Sequence, residues 1–100
     1  MNLETLTNGM RERVSRGTDL GASVKFDFGD EGRIFLDATK TPAEVSNEDK
    51  AADCTIKISL ADFNALRTGE LDATMAFMMG KLRVEGSMGI AMKLSSVLGG

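Results

Sequence analysis

Few side chains in this sequence could support catalysis. The 100 residues include no His, so the commonest general base near pH 7 is missing and no Ser-His-Asp or Cys-His arrangement can form. The single Cys54 alternates with apolar residues in a run typical of a strand, which predicts a small buried thiol rather than a nucleophile. Zinc-ligand clusters are absent as well. The sequence therefore predicts no catalytic residue, no metal site, no cofactor and no enzymatic activity.

The pair Gly80-Lys81 has a superficial likeness to the end of a phosphate-binding P-loop. Met75 stands where that motif requires its first Gly, and Leu82 stands where it requires a Ser or Thr to hold magnesium. The net charge of -3 also lacks the basic excess typical of nucleic-acid binders. We therefore expect neither a nucleotide site nor a nucleic-acid partner.

The most informative side chains are the methionines near the C-terminal end. Seven residues are Met, and those after residue 74 are Met75, Met78, Met79, Met88 and Met92. The helix predicted over residues 87 to 98 is apolar on more of its surface than the one stripe needed to cover a sheet. Because Met is flexible and polarizable, a surface lined by Met adapts to varied guests. The same pattern is also typical of an irregular core, which is the commoner use of Met at helical spacing, or of a dimer interface.

Hydrophobic periodicity predicts the elements that must position these residues. Apolar residues three or four apart predict a helix over residues 3 to 15, which Gly17 is expected to end, and strict alternation predicts strands. The predicted strands are 24–28 and 33–38, joined as a hairpin, a weakly signalled edge strand at 43–46, and then 54–59 and 81–85. Ser59 and Asp72 are expected to cap two helices that end at Gly69 and Gly80.

Length and composition predict one globular domain spanning residues 1 to 100, and the order of the predicted helices and strands makes it α+β. Apolar residues make up 42% of the chain and charged residues 27%, which are ordinary globular values. The first 16 residues lack the apolar run of a signal peptide, and a single Cys cannot form an internal disulfide. We therefore expect a cytoplasmic protein.

Several segments of the second half form a recognisable pattern. They are residues 52–55, 60–63, 66–71, 76–88 and 91–94, and the most specific part is Gly-Lys-Leu-x-Val-x-Gly at Gly80 to Gly86. Together they resemble the sterol carrier protein type 2 family, a lipid-binding domain. The first half fits more loosely, since Ile34 and Phe35 stand on a strand where family members often have Trp.

The resemblance implies a five-stranded, mainly antiparallel sheet with helices on one face that enclose an apolar tunnel, and it supports the edge strand near 43–46. It implies binding and transfer of sterol, fatty acid, fatty acyl-CoA or phospholipid without chemical change. We expect a lipid or fatty acyl ligand, transient membrane contact, and a monomer or weak dimer. By position, the residues lining the tunnel would be Phe77, Met78, Leu82, Val84, Met88, Ile90, Met92 and Leu94.

Three features leave alternatives open. The apolar last helix would also suit a protein-protein interaction or dimerisation module, and the domain could present lipid to a separate enzyme. Candidates for an anionic head group are Arg13, Arg16, Lys25 and Arg33, although a solvated surface charge is the commoner role for each of them. The end Leu98-Gly99-Gly100 departs from the peroxisomal signal of animal family members, so the family's peroxisomal location does not carry over.

Overall fold

The computed structural model describes residues 2–15, 20–40 and 43–99, with side chains described as far as residue 93. The elements in chain order are α1 (Leu3–Val14), β1 (Ser23–Asp27), a 3-10 turn (Gly29–Glu31), β2 (Arg33–Asp37), β3 (Glu44–Ser46), β4 (Cys54–Ile58), α2 (Leu60–Thr68), α3 (Ala73–Met78), β5 (Leu82–Gly86) and α4 (Met88–Gly99). This order confirms the predicted elements, including the edge strand. Gly17, expected to end the first helix, lies outside the described residues.

The five strands form one mixed sheet in the order β3-β2-β1-β4-β5. Three of the four neighbouring pairs are antiparallel, and β1 pairs with β4 in parallel. The mainly antiparallel α+β architecture is therefore confirmed. The central parallel pair follows from the long connection through β2 and β3, which brings β4 back beside β1.

One face of this sheet, which we call the inner face, carries the apolar core. The cross-strand register aligns its side chains, so that Val24 lies opposite both Leu36 and Cys54, and Phe26 lies opposite both Ile34 and Ile56. Apolar residues of α1 and α2 complete the same buried cluster: Leu6, Met10, Val14, Phe63 and Leu66. The helices thus cover the face that alternation in the strands makes apolar.

Local capping fixes where two of the helices begin and end. The Ser59 hydroxyl accepts a hydrogen bond from the Asp62 amide at 3.0 Å, and the Asp72 carboxylate accepts one from the Met75 amide at 3.1 Å. Gly69 ends α2 in the left-handed region with φ of 84°. Both predicted caps are confirmed, because each depends only on residues three positions away.

The opposite, outer face of the sheet is charged. Asp49 contacts two cations there, the Lys25 ammonium at 2.9 Å and the Arg33 Nε at 3.8 Å. Phe35 also belongs to this face by alternation, and it is nevertheless buried, with the Lys50 ammonium 5.9 Å from its ring centroid. Side chains of the outer face are therefore surrounded largely by charged groups, whereas those of the inner face are surrounded by apolar ones.

The Asp49 carboxylate predicts a small pH dependence of stability. The hydrogen bond from Lys25 and the nearby Arg33 charge lower the pKa of Asp49 below its ordinary value. Its contribution is therefore complete above the unfolded-state pKa and is lost as the pH falls through the lower folded-state pKa. We expect Asp49→Asn to lower the unfolding midpoint at neutral pH and to make no difference near about pH 2. Thermal melts across this range check the result, and a constant difference at every pH would contradict it.

Within the part of the chain that the structure describes, no helix is both long and apolar enough to cross a bilayer. The cytoplasmic location stays a prediction.

Candidate functional site

Large apolar side chains are exposed between residues 75 and 92. Their exposed fractions run from 48% to 75%, and they are Met75, Phe77, Met78, Met79, Met88 and Met92. We call these six the C-terminal apolar residues. Exposed apolar side chains concentrated in one part of a small domain commonly mark a binding surface. The surplus of apolar side chains expected from the sequence is therefore outside the core, where a partner or ligand can reach it.

The edge strand β5 adds a partly uncovered strip beside them. Val84 and Leu82 pair with Ile56 and Ile58 of β4 on the inner face of the sheet. Ile56 and Ile58 are only 4% and 5% exposed, whereas Val84 and Leu82 are half-buried. The same apolar face is thus fully covered along β4 and only partly covered along β5, and we call Leu82 and Val84 the open strip of β5.

Helix α3 is short because both of its ends are capped. Asp72 caps its first turn, and after Met78 the Gly80 amide donates to the Phe77 carbonyl at 3.2 Å while the Lys81 amide donates to the Ala76 carbonyl at 2.9 Å. Gly80 has φ of 76°, which this type of helix end requires. Ala76 is fully buried. Ala73 is partly buried against the core as well. With only these small side chains directed inward, α3 leaves its larger side chains exposed.

Helix α4 follows β5 after a single residue. The Ser87 amide donates to the Asp53 carbonyl at 3.1 Å, which holds the start of α4 beside β4. Ile90 and Ala91 pack against the core, so this side of the helix is the inward one. Met88 and Met92 are four residues apart and therefore neighbours on the helix surface, and both are exposed.

The predicted tunnel residues divide into two groups. Leu82, Val84 and Ile90 are half-buried and contact the core. The exposed ones are Phe77, Met78, Met88 and Met92. The side chain of Leu94 lies outside the described ones. Their joint role as a ligand site stays a prediction.

Two further methionines belong with this set. Met75 and Met79 are exposed on and just after α3, although the sequence prediction left them out of the site. The signal was present, since both belong to the apolar run that contributed Phe77 and Met78.

The head-group candidates on the sheet lie on the face opposite the apolar core, and a head-group role for them stays a prediction. Lys25 and Arg33 lie on the outer face and pair with Asp49. Strand alternation puts them on the side opposite to Val24 and Ile34. Arg13 is exposed on α1, and Arg16 lies outside the described residues.

Groups that could perform chemistry are not assembled in the described part of the chain. Cys54 is fully buried, and burial raises the pKa of its thiol, which keeps it protonated and unreactive. Among the described residues, no three His, Cys, Asp or Glu side chains come together as a metal site. The prediction of a buried structural thiol is confirmed.

Two cavities are described, and neither is lined by a predicted ligand residue. One of about 380 Å³ is at the carboxyl end of β4 and is lined by Asp27, Phe28, Gly29, Lys57, Ile58, Ser59, Gly80, Lys81 and Arg83. The other, of about 330 Å³, surrounds β3 and includes Arg11, Lys40 and Lys50. Charged side chains line both, so neither suits an acyl chain.

Comparisons with known proteins agree on one family. Residues 3–99 match the family model described as the SCP-2 sterol transfer family. Sterol carrier protein 2 of Homo sapiens is 51% identical over 51 residues, which cover 51% of this chain and 9% of that protein. Hydroxysteroid dehydrogenase-like protein 2 of Xenopus tropicalis is 39% identical over 70 residues, which cover 68% of this chain and 17% of that protein. The chain thus spans less than a fifth of the length of these relatives.

A solved structure shows the same fold. The solution structure of Sterol Carrier Protein-2 from Aedes aegypti in complex with the C16 fatty acid palmitate superimposes with a TM-score of 0.77 at 20% identity, covering 98% of this chain and 96% of that one. The five-stranded sheet and the helix order are therefore shared. With a family match across nearly the whole sequence and this agreement in fold, the chain belongs to the SCP-2 sterol transfer family.

Proposed function

We propose that this chain binds a lipid at the C-terminal apolar residues and the open strip of β5, and transfers it without chemical change. The ligand class is a sterol, fatty acid, fatty acyl-CoA or phospholipid. The observation that carries the proposal is the contrast between β4 and β5, since the inner face is fully covered at Ile56 and Ile58 and only partly covered at Val84 and Leu82. Family membership and the palmitate bound to the Aedes aegypti protein support it.

Burial of the guest provides the driving force. Each methylene moved from water to apolar surroundings gains about 0.8 kcal/mol, so a long acyl chain gains several kcal/mol after ordering costs. The guest also covers the exposed side chains of α3 and α4. One methylene changes binding by only about 1–3 kcal/mol in an apolar site, so selection among chain lengths is expected to be weak.

The side chains favour carriage over turnover. The sequence has no His, and Cys54 is enclosed beneath the helices. The bound lipid would therefore meet methionine, phenylalanine and aliphatic groups, none of which transfers a proton or attacks a carbonyl. We propose that the chain itself is not an enzyme.

Replacing Met92 tests the surface directly. Met92→Asp puts a carboxylate where the proposed guest would exclude water, and an unpaired charge is costly to bury. We expect loss of uptake of a fluorescent fatty acid, measured by titration in vesicle-free buffer, with an unchanged melting temperature because Met92 is exposed. Thr5→Asp adds the same charge at an exposed position of α1 and serves as the control. Unchanged uptake by folded Met92→Asp protein would remove this side chain from the site.

Mass spectrometry of an organic extract of the purified chain identifies the natural guest. A lipid at near-stoichiometric amount is expected. A lipid-free extract together with failure to take up any of the four lipid classes would overturn carriage. If the mass in solution also rose with concentration, the same surface would be an interface between copies of the chain.

We also propose that the domain presents its lipid to a separate catalytic unit. The support is that the chain matches only a small part of each relative. It matches 9% of sterol carrier protein 2 of Homo sapiens and 17% of hydroxysteroid dehydrogenase-like protein 2 of Xenopus tropicalis. Comparing turnover of a lipid supplied on this chain with turnover of the free lipid, by an enzyme that consumes it, tests the idea. Equal rates would count against presentation.

A further inference from the structure

Most of the exposed apolar surface near the C-terminal end is methionine. Five of the six C-terminal apolar residues are Met, with exposed fractions from 49% to 75%. We call them the five exposed methionines, and they are Met75, Met78, Met79, Met88 and Met92. Met10, in contrast, is 3% exposed and belongs to the core cluster. The same side-chain type is therefore present in two environments, one open to water and the other closed to it.

The five exposed methionines belong to the elements that adjoin the open strip of β5. Met75 and Met78 are on α3, Met79 directly follows it, and Met88 and Met92 are on α4. Both helices contact β5. Methionines three or four positions apart are neighbours on a helix surface, so each helix presents its thioether groups together. A guest held between the two helices and the open strip would therefore lie beside thioether groups.

Other oxidisable side chains are few. The sequence has no His, Trp or Tyr, and its single thiol, Cys54, is fully buried. Burial raises the pKa of that thiol, and a protonated thiol reacts slowly because the thiolate is the nucleophile. A thioether has no proton to lose and needs no base to react. Among the side chains that the structure describes, the five exposed methionines are therefore the sulfur groups most open to an oxidant in water.

We propose that the five exposed methionines are sites of reversible oxidation by hydrogen peroxide, and that their oxidation releases the guest. The thioether sulfur attacks one oxygen of the peroxide, and a sulfur–oxygen bond forms as the oxygen–oxygen bond breaks. The leaving hydroxide takes the proton of the attacked oxygen and departs as water. The sulfur loses two electrons and the peroxide gains them. The product is methionine sulfoxide, which methionine sulfoxide reductases convert back to methionine.

The sulfoxide changes what this surface can bind. It replaces a flexible apolar side chain with a polar one. An acyl chain offers no hydrogen-bond donor to the new oxygen, so covering that oxygen with a guest costs the hydrogen bonds that it makes to water. The fold should be unaffected, because the oxidised side chains are exposed. The release step rests on the proposed function, since oxidation displaces only a guest that covers these side chains.

Peptide mapping by mass spectrometry tests the modification itself. After graded treatment of the whole chain with hydrogen peroxide, an added oxygen atom is expected at each of the five exposed methionines. Met10 should react at least about ten-fold more slowly, because it meets the oxidant only when the fold opens. Equal rates at Met10 and at the five exposed methionines in folded protein would overturn the proposal.

Fatty acid uptake tests the consequence of oxidation. The oxidised wild type is expected to bind a fluorescent fatty acid about ten-fold or more weakly than the untreated protein does. Its melting temperature should not change, and treatment with methionine sulfoxide reductases should restore binding. Undiminished binding, or a fall in melting temperature that accounts for the loss, would show that sulfoxides do not release the guest.

Two variants assign the effect to sulfur at these positions. The first combines Met75→Leu, Met78→Leu, Met79→Leu, Met88→Leu and Met92→Leu, because Leu is apolar, similar in volume and inert to peroxide. Compared with its own untreated state, this leucine variant should lose no binding after peroxide treatment. Met10→Leu removes the buried sulfur instead, and it should lose binding on oxidation as the wild type does. A loss in the leucine variant as large as that in the wild type would overturn the proposal.

Protection by palmitate distinguishes a failure of this proposal from a failure of carriage. Saturating palmitate should slow oxidation of the five exposed methionines, because a guest that covers them excludes the peroxide. Absence of protection, together with no fatty acid uptake by the untreated protein, would overturn carriage and with it release, and the mapped oxidation sites would remain. Normal uptake that peroxide leaves undiminished would overturn release alone.

Discussion

Gly86→Ala is expected to destabilise the domain by about 2–4 kcal/mol and to reduce lipid uptake. Gly86 has φ of 91°, a backbone conformation that residues with a Cβ rarely adopt. A Cβ at this position would also lie 2.5 Å from the Asp53 carbonyl oxygen, which is backbone and cannot rotate away. The same oxygen accepts the Ser87 amide, so relieving the contact shifts the joint between β5 and α4.

Two other glycines distinguish the two causes of this loss, which are the positive φ and the contact with the Asp53 carbonyl. Gly69 has φ of 84° with nothing within 4 Å of an added Cβ, so Gly69→Ala should show the conformational cost alone, about 1–2 kcal/mol. Gly89 lies inside α4, and Gly89→Ala should stabilise the helix by about 0.5–1 kcal/mol. Urea unfolding of the three variants measures the order of their free energies of unfolding. A Gly86→Ala protein no less stable than the Gly69→Ala protein would show that the joint is not tightly held.

Phe63→Ala is expected to cost about 3–5 kcal/mol, a large share of the stability of a domain of this size. Phe63 is 1% exposed, and its ring centroid lies 5.0 Å from that of Phe26 and 5.2 Å from that of Phe28. Truncation leaves a cavity where α2 contacts the sheet. Chemical denaturation with an unchanged slope would report the loss as one of stability.

The same substitution at Phe77 provides the contrast. Phe77 is 48% exposed, so Phe77→Ala should change stability by less than about 1 kcal/mol. If Phe77 contacts the guest, this variant should bind fatty acid more weakly while melting normally. Equal stability losses at the two positions would mean that Phe77 belongs to the core.

Local signals in the sequence were sufficient for the secondary structure. Ser59 and Asp72 cap helices, and Gly69 ends one, through contacts that span a few residues. Alternation from Val24 and from Cys54 identified strands and their apolar faces, since successive side chains point to opposite faces of any strand. The short strand near Val45 was different, because its pattern was weak and the family resemblance supported it.

The sequence alone also determined the family and the apolar surplus, because residue types and their order are enough for both. Where that surplus lies was decided by the tertiary structure. Parallel pairing of β1 with β4 leaves β5 at an edge, where α3 and α4 pack against it. The exposure of a residue depends on how many elements pack over it. The same long-range pairing put Lys25 and Arg33 on the face away from the core, and it brought Arg83 beside Lys57, contacts that no local pattern could predict.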